Sequence, residues 1–357
     1  MADYMAFVIV FALALSVSLA LGPLAIVLGQ RLGITAKPGG RRQTEGDRRR
    51  VSKLGGILLF GGFTVAILAA QLLPVPRMDP YEVVRLTGLV LGSILIFIAG
   101  VLDDIFELPA LPLFLVQSIA AGIAISFQIF IEFFNNPLTG EQTGAWPFIV
   151  TVALSYFWIM GMTNTVNWLD GMDGLAGGVA FIAGAMLFIN SAFRVQPAQT
   201  SVSLLPLALM GAALGFLLYN FYPGRIQMGG SAYYLGYLLG TLSIIGGAKM
   251  ATILLVVGLP IIDVAWTITT RLRRGNNPAV GDREHLHYRL YDLGFSQRQI
   301  VLAYYSFCAF FGLLTLVTTS QIFKAIALGV MLFLVASGLF MLSRLHYSDS
   351  DASSASR

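Results

Sequence analysis

The segment ALSYFWIMGMTNTVNWLDGMDGLAGGVAFIAGAMLFI, residues 153–189, gives the clearest indication of the fold of this chain. It consists of two apolar runs that flank a polar centre rich in Asn, Asp and Gly. A helix needs roughly 20 apolar residues to cross the hydrocarbon core of a bilayer, and each run approaches that length together with its neighbours. The segment therefore predicts two transmembrane helices joined by a polar turn at the membrane boundary.

The composition extends this interpretation to the whole chain. Of the 357 residues, 57% are hydrophobic and only 11% are charged, whereas soluble domains carry roughly 25% charged residues. This excludes an ordinary soluble domain and predicts an all-α fold, a polytopic transmembrane helical bundle. About eleven segments are apolar enough to span a membrane. They lie near residues 5–29, 54–73, 86–102, 111–131, 147–163, 175–193, 203–221, 233–247, 250–270, 300–319 and 322–343.

The distribution of basic residues predicts the orientation of the bundle. With eleven spans, alternate connections hold 17 of the 22 Lys and Arg residues, and the other connections hold the remaining five. Lys and Arg are enriched in cytoplasmic loops. We therefore expect the N-terminus outside and the C-terminus in the cytoplasm of a cell with a plasma (inner) membrane. The formal net charge of +4 gives no support to nucleic-acid binding.

We expect one integral membrane domain over residues 1–347 and a disordered, Ser- and Asp-rich cytoplasmic tail over 348–357. Polar clusters recur at the predicted cytoplasmic ends of the helices, which is the layout of an intramembrane enzyme with a cytoplasmic active site. Cys308 is the single cysteine, so the chain forms no internal disulfide.

Paired aspartates mark the first cluster, LDDIFEL at 102–108. Asp103 and Asp104 follow a long apolar run, and unpaired carboxylates at a membrane boundary are unfavourable. A divalent cation would relieve their repulsion, and Mg²⁺ prefers one or two carboxylates together with phosphate oxygens. A simple helix C-terminus entering a polar loop explains the pair equally well.

The second cluster is the polar centre of the opening segment. Asn164, Asn167, Asp170 and Asp173 follow one another at intervals of three residues, so a continuous helix would place all four side chains on one face. The alternative is a turn, since Asn, Asp and Gly favour turns in any case. Four polar side chains in one register favour a binding site.

A third cluster, GDREHLHYRL from Gly281, combines His285 and His287 with Arg283 and Arg289. Cationic and hydrogen-bonding side chains of this kind suit phosphate groups. A basic loop on anionic lipid headgroups would explain the arginines but not the two histidines.

These residues resemble the polyprenyl-phosphate N-acetylhexosamine-1-phosphate transferases, the glycosyltransferase 4 family. The resemblance covers about residues 37–298 and is closest to the branch that uses UDP-GlcNAc and undecaprenyl phosphate. It rests on LDDIFEL, on Asn-x-x-Asn-x-x-Asp-Gly-x-x-Gly at 164–174, on GFLLYN at 215–220, on GLPIIDVAW at 258–266, and on DREHLHYRL followed by LGFSQRQ at 282–299.

The resemblance implies transfer of a HexNAc-1-phosphate, with GlcNAc first among the sugars, from a UDP-sugar to undecaprenyl phosphate. UMP is released, and the lipid-linked product begins cell-envelope polysaccharide synthesis. The family uses Mg²⁺, with Mn²⁺ as an alternative, and the resemblance also implies a homodimer. The implied catalytic residues are Asp103, Asp104, Asp170 and Asp173, the substrate-binding residues are Asn164, Asn220, Asp263, Arg283, His285, His287 and Arg289, and the metal ligands are Asn167 and Asp173.

The chain departs from the family pattern at three positions. The family usually carries Met-Gly-Asp-x-Gly-Ser with a metal-binding aspartate, whereas residues 228–231 read MGGS here. Tyr288 stands where a second adjacent histidine is common. A histidine expected after the basic pair is replaced by Gln43 and Thr44, and Pro-x-Pro-Arg by residues 51–53. These departures keep a catalytically weakened member open as an alternative, beside a phospho-MurNAc-pentapeptide transferase and a transporter.

Overall fold

The computed structural model describes residues 2–36, 50–133, 136, 139, 141–195, 198–246, 250–275, 284–317 and 320–354. For Ala2 and residues 344–354 it describes the backbone only. Within these ranges the chain forms α-helices and no strand. The helices are α1 Ala2–Arg31, α2 Gly56–Ala70, α3 Glu82–Phe106, α4 Ala110–Ser126, α5 Phe148–Leu169, α6 Leu175–Ile189, α7 Thr200–Asn220, α8 Ala232–Ile245, α9 Met250–Val256, α10 Gly258–Arg273, α11 Leu286–Asp292, α12 Gln297–Val317 and α13 Gln321–Ser354. A π-helical turn, Asn190–Arg194, continues α6, and a 3₁₀ turn, Gly229–Ser231, precedes α8.

Burial divides the helices into a central and an outer group. α7 and α8 are apolar on nearly all sides and lie at the centre, with Phe216, Tyr234 and Tyr237 fully buried. α1 packs along α2 and α7, α5 packs along α8, and α3 packs along α4. α1 and α13 turn large apolar side chains outward, among them Val8 and Phe333. An apolar outer surface is what a bilayer requires of a protein that it surrounds.

The chain is a multi-pass membrane protein. In the described residues, seven helices are long and apolar enough to cross a membrane, and the bent pair α9 and α10 raises the number to eight. Each of the eleven predicted segments coincides with a helix or with this pair. α2, α4 and α8 contain only 15, 17 and 14 residues, which is short of the roughly 20 residues that a perpendicular span needs. The predicted number of eleven spans is therefore not confirmed.

The ninth predicted segment is broken and not continuous. α9 and α10 meet at an angle of 75° across Val257. Pro260 occupies the first turn of α10, where its missing N–H leaves no hydrogen bond unmade. The bend redirects α10 and places Asp263, which is 3% exposed, against the segment before α11.

The connections that carry the polar clusters lie at one end of the bundle. Gly55 N donates to Gln227 O at 2.9 Å, which joins the α1–α2 and α7–α8 connections. The Tyr288 hydroxyl donates to Gly171 O at 3.3 Å, which joins the start of α11 to the α5–α6 turn. Gly230 N donates to Asp104 and Gly224 N donates to Asp173, so the α7–α8 connection also contacts the end of α3 and the α5–α6 turn. In the described residues the polar clusters therefore share one end.

The predicted tail overlaps a helix. α13 continues through Ser354 and so includes most of residues 348–357. Because the side chains from 344 onward are not described, the boundary of the membrane domain at 347 and the disorder of the tail stay predictions.

Candidate functional site

The acidic pair lies on the last turn of α3, and its two members have different surroundings. Asp104 is buried, and its carboxylate lies 3.4 Å from Lys53 Nζ. It also accepts a hydrogen bond of 2.9 Å from Gly230 N. Asp103 is half-buried and accepts from Leu108 N at 3.0 Å, which caps the end of the helix. Both predicted catalytic residues are present at the site, and Lys53 is the cation next to Asp104.

The MGGS turn, residues 228–231, which lacks the family aspartate, contacts the end of α3 beside this pair. Gly229 has a φ of +67°, a left-handed conformation that favours glycine. Gly230 lies so close to α3 that a Cβ atom there would overlap the carbonyl oxygen of Gly100. An aspartate placed at 230 would therefore displace the backbone that donates to Asp104, so a single substitution does not restore the family pattern.

The Asn/Asp segment is a helix end followed by a turn. Asn164 and Asn167 lie on the last turns of α5, which ends at Leu169, and Asp170 and Asp173 lie beyond it. Gly174, with a φ of +86°, immediately precedes Leu175, the first residue of α6. The single helical face predicted for all four residues is therefore wrong after Leu169.

Backbone hydrogen bonds fix this turn. Asp173 is 8% exposed, and its carboxylate accepts from Gly224 N at 2.9 Å. Asn220 is buried at the end of α7; its Oδ1 accepts from Gly174 N, and its Nδ2 donates to Ile226 O, both at 2.8 Å. The predicted residues Asp173 and Asn220 thus hold the α5–α6 turn against the α7–α8 connection.

A buried carboxylate and histidine form the third part of the site. Asp263 Oδ2 lies 3.0 Å from His285 Nδ1, and its Oδ1 accepts from Leu286 N at 2.9 Å. The His285 ring lies parallel to the His287 ring, with centroids 5.8 Å apart, and 6.0 Å from the Trp168 ring. Asp263 therefore orients His285 over the end of α5.

The second histidine, His287 on α11, packs against the Asn/Asp turn. His287 is 1% exposed, and a Cβ atom on Gly171 would overlap its Nε2. Tyr288, which replaces the family histidine, is buried against the same glycine. Arg289 Nε donates to Glu284 O at 2.6 Å. Arg283 lies outside the described residues.

Two polar contacts were not predicted from the sequence. Lys53 belongs to a basic run, and only the fold shows that it reaches Asp104. Gln117, buried in the apolar helix α4, accepts from Asn164 Nδ2 at 2.9 Å. The signal for Gln117 is a single amide in an otherwise apolar segment, since buried polar groups in membrane helices usually have a partner.

The oxygen-rich donor set suits Mg²⁺, which takes carboxylate, amide and phosphate oxygens. Among the described residues, no three His, Cys, Asp or Glu side chains are grouped closely enough to hold a metal ion by themselves. Asp104 already faces an ammonium group, so it fits a metal poorly. Asn167 and Asp173, the predicted ligands, supply one amide and one carboxylate oxygen, so a metal held there would need phosphate or water oxygens to complete its coordination.

The chain is similar in sequence to known membrane transferases. The sequence model of the family described as Glycosyl transferase family 4 matches residues 86–247. A decaprenyl-phosphate N-acetylglucosaminephosphotransferase of Mycobacterium tuberculosis (strain ATCC 25618 / H37Rv) is 30% identical, over 80% of this chain and 76% of the relative. A probable undecaprenyl-phosphate N-acetylglucosaminyl 1-phosphate transferase of Bacillus subtilis is 29% identical over 84% and 81%. The undecaprenyl-phosphate alpha-N-acetylglucosaminyl 1-phosphate transferase of Escherichia coli K12 is 26% identical over 76% and 73%. The chain belongs to glycosyl transferase family 4.

Proposed function

We propose that the chain transfers a HexNAc-1-phosphate, with GlcNAc-1-phosphate first, from a UDP-sugar to undecaprenyl or another polyprenyl phosphate and releases UMP. One observation carries the proposal. Buried Asp104 at the end of α3, Asp173 in the α5–α6 turn and the Asp263–His285 pair between α10 and α11 form the polar end of an apolar helical bundle. The names of the relatives supply the substrate class. This reaction is the first membrane step in the assembly of a cell-envelope polysaccharide.

The chemistry requires positioning and charge neutralisation more than covalent catalysis. An oxygen of the lipid phosphate forms a bond to the phosphorus that carries the sugar. The bond from that phosphorus to the bridging oxygen of the diphosphate breaks, and UMP leaves with the oxygen. A site at the membrane boundary suits this reaction, because one substrate is embedded in lipid and the other is dissolved in water.

The residue roles follow the resemblance and the contacts described above. Asp103 and Asp104 serve the region of the lipid phosphate, with Lys53 offsetting the charge of Asp104. Mg²⁺, or Mn²⁺ in its place, would be held by Asn167 and Asp173 and would neutralise diphosphate charge. Asp170, Asn164 and Asn220 complete the polar turn.

The histidine segment is assigned to the diphosphate. Asp263 holds the His285 ring in one orientation, as carboxylates commonly do for functional histidines. His287 lies against the Asn/Asp turn, and Arg283 and Arg289 add positive charge to the same segment. Cationic donors of this type stabilise the charge that develops during phosphoryl transfer.

We further propose that the bundle has eleven spans, with the N-terminus outside and the C-terminus and active site in the cytoplasm of a cell with a plasma (inner) membrane. The excess of basic residues in alternate connections supports this orientation. Reporter fusions at the two termini test it. A homodimer stays a prediction of the family resemblance.

The test of the function is release of UMP from UDP-GlcNAc by purified protein with undecaprenyl phosphate, with and without Mg²⁺. We expect release that depends on both the lipid and the metal. A catalytically weakened member is the second candidate, because Lys53 pairs with Asp104 and the MGGS turn has no aspartate. Binding of UDP-GlcNAc without release of UMP, repeated over a panel of UDP-sugars, would support that candidate instead.

A further inference from the structure

A cleft of about 620 Å³ opens where α1 and α7 end, beside the polar end of the bundle. Its wall along α1 is apolar and includes Pro23, Ile26 and Val27. Its rim is polar, with Gln30 and the two arginines Arg50 and Arg225. The cleft thus has an apolar side and a cationic rim.

Hydrogen bonds hold the segments that bear the arginines. Arg225 N donates to Tyr219 O at 2.7 Å, and the Tyr219 hydroxyl donates to Leu19 O at 3.0 Å. On the other side, the Ser52 hydroxyl donates to Ala25 O at 2.9 Å. Gln227 N then joins the two segments through Ser52 O at 2.8 Å. The rim is therefore built on backbone anchored to α1, so binding a ligand there requires little ordering of the chain.

The position of the cleft suits a lipid. It spans the last two turns of α1 and the last turn of α7, two helices that qualify as membrane spans. Leu24 and Leu28, on neighbouring positions of α1, are exposed and extend the apolar surface away from the rim. The described residues that line the cleft include two arginines and no acidic side chain. Basic pockets at helix ends attract anionic lipid headgroups.

We propose that this cleft is a binding site for an anionic phospholipid of the phosphatidylglycerol type. The phosphate lies with Arg50 and Arg225, and an acyl chain follows Ile26 and Val27 along α1. None of the predicted catalytic or metal-binding residues lines the cleft, which favours a resident lipid over the reacting polyprenyl phosphate. Gly224 lines the cleft and donates to Asp173, so the bound lipid supports the turn beneath that aspartate.

Native mass spectrometry of the full-length protein tests the site. The protein is delipidated in detergent and supplied with phosphatidylglycerol, phosphatidylcholine or undecaprenyl phosphate, each alone and in competition. UDP-sugar is absent, so the result does not depend on transferase activity. We expect retention of phosphatidylglycerol over both other lipids, and a loss of about tenfold in the double variant Arg50→Gln/Arg225→Gln.

Two further variants distinguish the contribution of the lipid headgroup from that of the acyl chain. Val27→Trp fills the apolar wall and leaves both arginines in place, and we expect it to weaken retention as well. Arg298→Gln is the matched control, because Arg298 donates to Tyr222 O beside the cleft but does not line it. Equal retention of phosphatidylcholine, preference for undecaprenyl phosphate, or unchanged retention in the double variant would each overturn the proposal. Size-exclusion profiles establish that the variants are folded.

Discussion

Asp104 and Asp263 are two buried carboxylates held in the same manner by different partners. Each accepts one backbone hydrogen bond of 2.9 Å, from Gly230 N and Leu286 N respectively. Each also faces a nitrogen of a basic side chain, Lys53 for Asp104 and His285 for Asp263. Lysine is a flexible side chain that ends in a compact ammonium group, whereas histidine is a planar ring with two distinct nitrogens.

Asp104 and Asp263 link different parts of the bundle. Asp104 lies against Lys53 and accepts from Gly230 N, so this carboxylate links the α1–α2 connection, the end of α3 and the α7–α8 connection. His285 is oriented by Asp263, and its ring lies parallel to that of His287, so this carboxylate links α10 to the histidine segment. The same two kinds of contact, one backbone donor and one basic side chain, therefore hold different parts of the bundle together.

The largest effect on stability should follow from disturbing the close contact between Gly230 and Gly100, next to Asp104. Gly230→Ala places a methyl group against the Gly100 carbonyl, and overpacking of this kind destabilises proteins by about 1–3 kcal/mol or more. Thermal unfolding in detergent measures the change. Gly161→Ala is the control, because its added methyl meets nothing within 4 Å. Gly230→Asp should bring no gain in Mg²⁺-dependent transfer, and a gain would contradict the close contact.

Removing the charge of Asp104 should lower the rate of transfer by about 100-fold, the magnitude typical of losing one preorganised electrostatic contact. Asp104→Asn keeps the size of the side chain and an acceptor for Gly230 N. The assay is lipid-dependent release of UMP. Asp79→Asn removes a carboxylate that pairs with Arg85 away from the site and should leave the rate unchanged. A fully active Asp104→Asn would remove Asp104 from the catalytic set.

Substitution of Lys53 tests how much its ion pair with Asp104 contributes to stability. Lys53→Gln leaves the Asp104 carboxylate buried without its ammonium partner and should destabilise the fold by about 2 kcal/mol, less than for a fully buried pair because the lysine is partly exposed. Lys53→Arg should retain most of the stability. A double-mutant cycle with Asp104→Asn isolates the pairwise energy, and strict additivity would show that the two groups are not coupled.

The Asp263 pair should show a coupling of about 1 kcal/mol in stability. The cycle combines Asp263→Asn with His285→Gln and is read by thermal unfolding. Transfer should fall about tenfold in Asp263→Asn, because the ring loses its fixed orientation. A normal rate in Asp263→Asn with a lowered rate in His285→Gln would mean that the histidine acts without orientation by the aspartate.

The smallest effect concerns the tyrosine of the histidine segment. Tyr288→Phe removes one hydrogen bond of 3.3 Å to Gly171 O and should destabilise the fold by about 1 kcal/mol or less. Tyr288→His would instead restore the common family residue. If transfer rises in that variant, the departure at 288 limits the rate.

Predictions from the sequence were most successful for features of local composition. Each of the eleven predicted segments coincides with a helix or a bent pair, because an apolar run in lipid must satisfy its own backbone hydrogen bonds. The spacing of the polar residues predicted the local structure of the site less well. The interval of three residues from Asn164 to Asp173 would place the four side chains on one face of a continuous helix, but α5 ends at Leu169, before Asp170 and Asp173.

Composition and residues near one another in the chain were enough to predict a helical membrane protein, its polar clusters and the family it resembles. The pairing of Lys53 with Asp104, the orientation of His285 by Asp263 and the lack of room for a side chain at Gly230 became visible only in the folded protein. Such contacts join residues far apart in sequence, and they depend on how the helices pack, which local patterns do not specify.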